Sequence, residues 1–171
     1  VVLSHAHLDH SGLLPRLCHE GFTGPVICTR ATAELLEIML NDSVGLYLRD
    51  LERTNIRNAR QGRPLLDPIY TLEDVEAVLK QCDGHRYRDT VPLGEGASLR
   101  FYDAGHILGS AIVEITLREH GEKKVLVFSG DLGKRDSALM NEPSLLDRAD
   151  VLLVESTYGD RDHRSEEDTE V

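Results

Sequence analysis

Several features are scarce or missing in this sequence, and each absence argues against a class of protein. Cysteine is scarce: Cys18, Cys28 and Cys82 are odd in number and match no paired spacing, which argues against a disulfide framework and a cysteine-based zinc site. No stretch of about 18 apolar residues and no basic, apolar leader is present, so nothing indicates a membrane span or a secretory signal. We therefore expect a cytoplasmic chain without a membrane partner.

Basic residues are also in the minority. The 19 lysines and arginines face 30 acidic residues, and the formal net charge of −11 argues against non-specific nucleic-acid binding by the whole surface. The imbalance is uneven, because residues 41–66 hold five arginines against three acids, whereas residues 155–171 hold seven acids against two arginines. Acidic metal ligands, whose charge a bound cation would offset, can account for part of this acidity.

Length and patterning indicate one α/β domain. The 171 residues are 40% hydrophobic, which is enough for a single core. Helical spacing predicts helices in GLLPRLCHEG, TRATAELLEIML, VGLYLRDLERTNIRNARQ and TLEDVEAVLKQC, and apolar runs predict strands in VVLS, PVICT, SLRFYDAGH, SAIVEITL, KKVLVFSGD and ADVLLVEST. We expect layers of sheet covered by helices. The chain starts without Met and stops in a charged stretch, so we also expect a piece of a longer protein.

Polar residues follow four of the predicted strands where each strand ends. VVLS leads to His5, LRFYDAG to His106, KKVLVFSG to Asp131 and ADVLLV to Glu155. If these strand ends share one rim of the sheets, their side chains converge on one site.

The first of these ends is the most crowded, because His5, His7, Asp9 and His10 fall within six positions. Imidazole and carboxylate ligands suit zinc and its neighbours in the transition series. His5 and His7 can hold one cation, Asp9 and His10 a second, and Asp131 can bridge the two. A pair of cations about 3.5–4 Å apart is an arrangement that promotes displacement at phosphorus.

These stretches resemble a known family. SHAHLDHSG resembles the signature of the metallo-β-lactamase superfamily, AGHILGS its third motif and SGDLG its fourth. VESTYGDRDH is similar to the first motif of the β-CASP nucleases, the subgroup that includes the pre-mRNA 3′-end cleavage subunit and its bacterial relatives. The resemblance implies a partial four-layer αββα sandwich over residues 1–158, with residues 159–171 starting an acidic linker into a β-CASP domain in cis.

The resemblance also implies a ligand set and a reaction. The zinc ligands would be His5, His7 and His106 for one ion and Asp9 and His10 for the other, with Asp131 as the bridge. Asp9 would also help to orient or deprotonate the attacking hydroxide, and Glu155 would hold a histidine of the later domain. Two Zn²⁺ per chain are expected, with Mn²⁺ or Fe²⁺ as alternatives.

The function expected from this resemblance is a zinc-dependent RNA phosphodiesterase that uses a metal-bound hydroxide. An upstream aspartate and later histidines of the family are missing from residues 1–171, so we expect this piece alone to be weakly active or inactive. The alternatives are a thioester or lactam hydrolase, a DNA nuclease, or a noncatalytic scaffold subunit. A homodimer is left open.

A row of arginines offers a second candidate contact with RNA. Arg49, Arg53, Arg57 and Arg60 are spaced by four, four and three residues, which places them on one face of a helix. Such a stripe can meet phosphates. The alternative is an ordinary solvated face that pairs with Asp50 and Glu52.

Overall fold

Two β-sheets and a group of helices form the fold in the computed structural model, which describes residues 1–135, 139–157 and 159–160. The helices are α1 (Leu8–Ser11), α2 (Leu14–His19), α3 (Arg30–Arg60) and α4 (Leu72–Gln81). The strands are β1 (Val26–Thr29), β2 (Cys82–His85), β3 (Val91–Gly94), β4 (Ala97–Asp103), β5 (Ala111–Glu119), β6 (Glu122–Phe128) and β7 (Val151–Leu153). Most of the expected linker, residues 159–171, lies outside the described residues.

Helix α3 corrects the sequence-based prediction of two separate helices, because it runs for 31 residues without a break. The Thr29 hydroxyl caps its start by accepting a hydrogen bond from the Thr32 amide at 3.2 Å. Leu36, Leu40 and Val44 are all buried, and their four-residue spacing continues the apolar stripe across the polar residues that suggested a break. Core packing therefore outweighs the weak helix propensity of those polar residues.

Helix α4 begins as the sequence predicted. The Thr71 amide donates to the Asp74 carboxylate at 2.8 Å in a capping box. Val75 and Val78 are buried on one face of this helix, where they join the core shared with α3. No helix in the described part of the chain is long and apolar enough to cross a membrane.

The two sheets pack face to face. Strands β1 and β2 are parallel, and Val2 extends this small sheet through a parallel bridge to Ile27. The larger sheet has the order β3-β4-β5-β6-β7. Ile27 of the small sheet shares a buried cluster with Phe101 and Val113 of the large one, whereas Val26 and Cys28, with side chains on the opposite face, pack against the helices.

This architecture confirms the predicted α/β class as a partial sandwich of helices, sheet and sheet. On the outer face of the large sheet, the partly buried Leu146 of a loop packs against Ile112, Val125 and Val127. Within residues 1–135, 139–157 and 159–160 no helix covers that face. Strands β2 and β3 escaped prediction because the sequences CDGH and VPLG lack the apolar alternation of a strand.

The predicted strand ends meet at one rim. Strands β4, β6 and β7 run in the same direction, so the residues that follow them emerge at the same edge of the large sheet. The small sheet joins that edge, because the Ala111 amide at the start of β5 donates to the Ser4 carbonyl at 2.9 Å. His106, Asp131 and Glu155 consequently follow strands that end at this rim. VVLS, predicted as a strand, instead forms only the isolated bridge between Val2 and Ile27, and His5 follows this bridged segment.

Candidate metal centre

The loop that carries the first histidines is held in a fixed shape by its own backbone. The amides of His10 and Ser11 donate to the His7 carbonyl at 3.0 and 2.9 Å, which starts the short helix α1. The Ser11 hydroxyl lies 2.9 Å from both the Ala6 and the His7 carbonyl oxygens. His5 is completely buried, so this loop faces inward at its start and reaches the surface at Asp9.

Four side chains form a first donor group. The Nδ1 atom of His7 lies 3.2 Å from Nε2 of His5 and 3.2 Å from Nε2 of His106. The Oδ2 atom of Asp131 lies 3.7 and 3.6 Å from the same two Nε2 atoms. A tetrahedral zinc ion with bonds of about 2.0–2.1 Å would separate its ligands by about 3.3 Å, so the donor spacing fits such an ion.

A second donor group shares Asp131 with the first. Its Oδ1 atom lies 3.2 Å from Nε2 of His10, and that nitrogen lies 3.6 Å from Oδ2 of Asp9. The two oxygens of one carboxylate therefore face two different donor groups. This is the arrangement of a bridging ligand between two cations, and all six predicted ligands lie in these two groups.

The electrostatics of the first group favour a neutral imidazole. Burial and the nearby His10 charge lower the pKa of His5 from 6.5 to about 4. The Ser4 hydroxyl lies 3.1 Å from Nδ1 of His5, and when that nitrogen carries the proton, Nε2 presents its lone pair to the donor group. Neutral imidazoles and carboxylates are the forms that bind metal. The chemistry of the donor set therefore fits a pair of divalent cations.

Sequence reasoning missed the buried hydroxyl groups that support these ligands. The loop with His106 is held by Ser110, whose hydroxyl accepts hydrogen bonds from the His106 and Ile107 amides at 3.1 and 3.2 Å. The Thr29 and Thr32 hydroxyls donate to the Gly109 carbonyl at 2.7 and 2.9 Å. A signal was present near the ligands, because a serine lies beside His5, beside His10 and four residues after His106.

Gly109 occupies a position where a side chain would be both strained and crowded. Its φ is +79°, and a Cβ atom there would lie 2.6 Å from the Thr32 amide nitrogen and 2.9 Å from the Ala31 Cβ. The loop can therefore press against the first turn of α3 only because residue 109 has no side chain. This contact fixes the position of His106, three residues earlier, relative to the small sheet.

Glu155 supports the loop that follows Asp131. Its carboxylate accepts a hydrogen bond from the Leu132 amide, and its own amide donates to the Ser129 hydroxyl at 3.0 Å. Glu155 also lines a cleft of about 590 Å³ together with His106, Asp131 and Lys134. The predicted contact between Glu155 and a histidine of a later domain stays a prediction.

The structure does not bring the arginine stripe to the donor groups. Arg49, Arg53, Arg57 and Arg60 are exposed on α3, on the face opposite the buried leucines. At 1.5 Å per residue, they lie about 28–45 Å along the helix from its start near Gly109. Arg53 pairs with Asp50 at 3.4 Å, but both side chains are 76% exposed, so this ion pair stabilises little.

The sequence of the chain is similar to those of several known proteins. No family model matches the chain. A ribonuclease of Thermus thermophilus is 41% identical over 169 residues, which are 99% of this chain and 34% of that protein. The transcription termination factor FttA of Methanocaldococcus jannaschii is 33% identical over 93% of the chain and 23% of its own length. The chain thus spans about a third or less of these curated relatives.

Among solved structures, a subclass B3 metallo-β-lactamase from a soil metagenome library, MEM-A1, matches 90% of this chain and 56% of its own. The TM-score is 0.49 and the sequence identity is 16%.

Proposed function

We propose that this chain is the metal-binding part of a zinc-dependent ribonuclease in the β-CASP branch of the metallo-β-lactamase superfamily, the family that its motifs resemble. The observation that carries the proposal is the orientation of Asp131, whose two oxygens face two separate donor groups beside an open cleft. The relative from Thermus thermophilus is itself named a ribonuclease.

Six side chains would hold the cations. His5, His7 and His106 would bind one ion, Asp9 and His10 would bind the other, and Asp131 would contribute one oxygen to each. When bound, two such cations lower the pKa of water and offset negative charge that develops on a phosphodiester. Zinc suits this set of donors best, and Mn²⁺ and Fe²⁺ are the alternatives.

Side chains of the protein would position the attacking water and transfer its proton. The Asp9 side chain is 75% exposed, so it can meet a water molecule in the cleft, orient it and accept its proton. Glu155 keeps the Asp131 loop in place through the Leu132 amide. The proton for the leaving oxygen would come from a group in a further domain of the longer protein. We place this protein in the cytoplasm and leave a homodimer open.

The rival functions use the same fold differently. A thioester or lactam hydrolase would attack carbonyl carbon, and a DNA nuclease would differ in the sugar that it accepts. The ribonuclease named among the relatives favours RNA. A noncatalytic scaffold subunit is disfavoured because every ligand position that the resemblance implies within residues 1–171 is filled.

Substrate comparison tests the proposal. We would give the zinc-loaded 171-residue chain an RNA oligonucleotide, a DNA of the same sequence, an acyl thioester and a chromogenic lactam in parallel. We expect at most slow cleavage of RNA by this piece and faster cleavage by a longer natural form. Asp131→Asn should abolish the cleavage, and Asp89→Asn, a change of an exposed residue, should leave it intact. Hydrolysis of the thioester or the lactam without cleavage of RNA would contradict it, as would a longer natural form with no activity at all.

We also propose that the arginine stripe binds RNA at a distance from the cleavage site. Binding through contacts between exposed guanidinium groups and phosphates weakens as the salt concentration rises. Each such contact makes the plot of log affinity against log salt concentration steeper. Replacing Arg53 and Arg57 with Ala should lower RNA affinity and reduce that slope by about 2. Replacing the exposed Lys123 and Lys124 on β6 is the matched control, and an equal effect of both pairs would leave only a general charge effect.

A further inference from the structure

A second cleft lies at the same rim and belongs to neither donor group. It has a volume of about 370 Å³ and is formed where the parallel strands β1 and β2 end, at the pair Thr29 and His85. Its opposite wall includes Leu108 and Gly109, from the loop that carries His106. Clefts at the carboxyl ends of parallel strands are common ligand sites in α/β proteins.

The order of strands sets its distance from the metal centre. The extended segment that leads to His5 is bridged to β1 through Val2 and Ile27, and β1 pairs with β2 through Val26 and Cys82. The end of β2 therefore lies two strand spacings, about 10 Å, from the end of the segment that leads to His5. A nucleic-acid strand with one phosphate in the metal centre can place a neighbouring nucleotide there.

The lining of this cleft is basic although the chain as a whole is acidic. Arg30, the first residue of α3, and Arg86, the residue after β2, both line it and are exposed. The acid in the lining, Asp103, already accepts hydrogen bonds from the Gly105 amide at 2.8 Å and the Asn141 side chain at 2.9 Å. Two guanidinium groups against one occupied carboxylate, on a chain of net charge −11, favour an anion.

The imidazole of His85 also lines the cleft. Its Nε2 is buried and makes no hydrogen bond among the described residues, although an Asp83 carboxylate oxygen lies 3.0 Å away without the required angle. Buried polar atoms nearly always have a hydrogen-bond partner, and within the described part of the chain this nitrogen has only its ion-pair contact with Asp83. The Tyr87 hydroxyl is already used, because it donates to the Ser110 carbonyl at 2.8 Å.

We propose that this cleft binds the phosphate of a nucleotide that neighbours the scissile bond, with Arg86 and Arg30 as the phosphate contacts. Guanidinium groups bind phosphate through paired, charge-assisted hydrogen bonds. The volume is in the range of pockets that take small ligands. The proposal rests on the proposed RNA substrate and adds a second phosphate position to it.

Adenosine 5′-monophosphate is the probe, titrated into the 171-residue chain by isothermal calorimetry in the presence of a metal chelator. We expect saturable binding that falls at least about tenfold in Arg86→Gln, because a hydrogen bond between charged groups is lost. Arg30→Gln should weaken binding similarly. The matched control is Arg118→Gln, since Arg118 is exposed at the far end of β5 from this rim and should bind as the wild type does.

Two further arms locate the site and the contact. Adenosine without phosphate should bind at least about tenfold more weakly than the monophosphate, and His7→Ala should bind the monophosphate unchanged. Equal binding by Arg86→Gln and Arg118→Gln, equal binding of adenosine, no binding by the wild type, or loss of binding in His7→Ala would each overturn the proposal. If binding follows our expectation but the longer natural form, loaded with zinc, cleaves no RNA, the proposed function fails and the phosphate site stands.

Discussion

Removal of the Ser4 hydroxyl should weaken the metal centre without touching a metal ligand. Ser4 is buried, and its Oγ lies 3.1 Å from Nδ1 of His5. This contact orients the ring so that Nε2 faces His7, 3.2 Å away, and when Nδ1 carries the proton, the Ser4 hydroxyl accepts its hydrogen bond. Loss of such an outer contact typically costs about 10–100-fold in metal affinity, or about 1.4–2.7 kcal/mol of binding free energy.

Competition with a chromophoric chelator would measure the effect as the zinc dissociation constant of Ser4→Ala. The backbone role of Ser4 survives the substitution, because its carbonyl accepts from the Ala111 amide at 2.9 Å. Ser98→Ala on β4 is the control, since the Ser98 hydroxyl makes no hydrogen bond within the described part of the chain. A Ser4→Ala chain with wild-type zinc affinity would refute the assigned role of this hydroxyl.

Three further predictions concern stability, measured by urea unfolding. Gly109→Ala should lower the free energy of unfolding by more than about 1 kcal/mol, because φ is +79° and the Thr32 amide would contact the new Cβ. Gly121→Ala is the control and should lower it less, because φ is +83° but the space around residue 121 is open. Asp74→Ala should cost about 1 kcal/mol through loss of the α4 capping box, and an unchanged midpoint would contradict this. With chelator present, His5 should contribute a loss of about 3 kcal/mol of unfolding free energy as the pH falls from 6.5 to 4, because folding lowers its pKa to about 4 and the unfolded chain then binds the proton more strongly. The loss should be smaller in His5→Gln, and an equal loss would contradict this.

The sequence predicts the donor residues well because they follow apolar runs or cluster locally. His106 and Asp131 come three residues after the ends of β4 and β6, which run in the same direction, and His5 follows the segment that Val2 bridges to β1. The crowding of His5, His7, Asp9 and His10 is also local, so it needs no knowledge of the fold. Local patterns therefore predict most of the candidate ligands.

Distant contacts explain what the sequence does not predict. The Thr29 hydroxyl and the Gly109 carbonyl are 80 residues apart, and threonine is too common to indicate such a pair. The join between the two predicted helices of α3 depends on Leu40 and Val44 meeting a shared core. The second cleft depends on β2, whose sequence CDGH has no strand pattern and becomes a strand by pairing with β1.

Metal content measured by elemental analysis tests the central claim most directly. The account predicts about two zinc ions per chain after zinc loading and dialysis at neutral pH, with a clear loss of zinc in His7→Ala, whose imidazole lies between His5 and His106. A chain that retains no zinc under these conditions, or that retains as much zinc in His7→Ala as in the wild type, would contradict it.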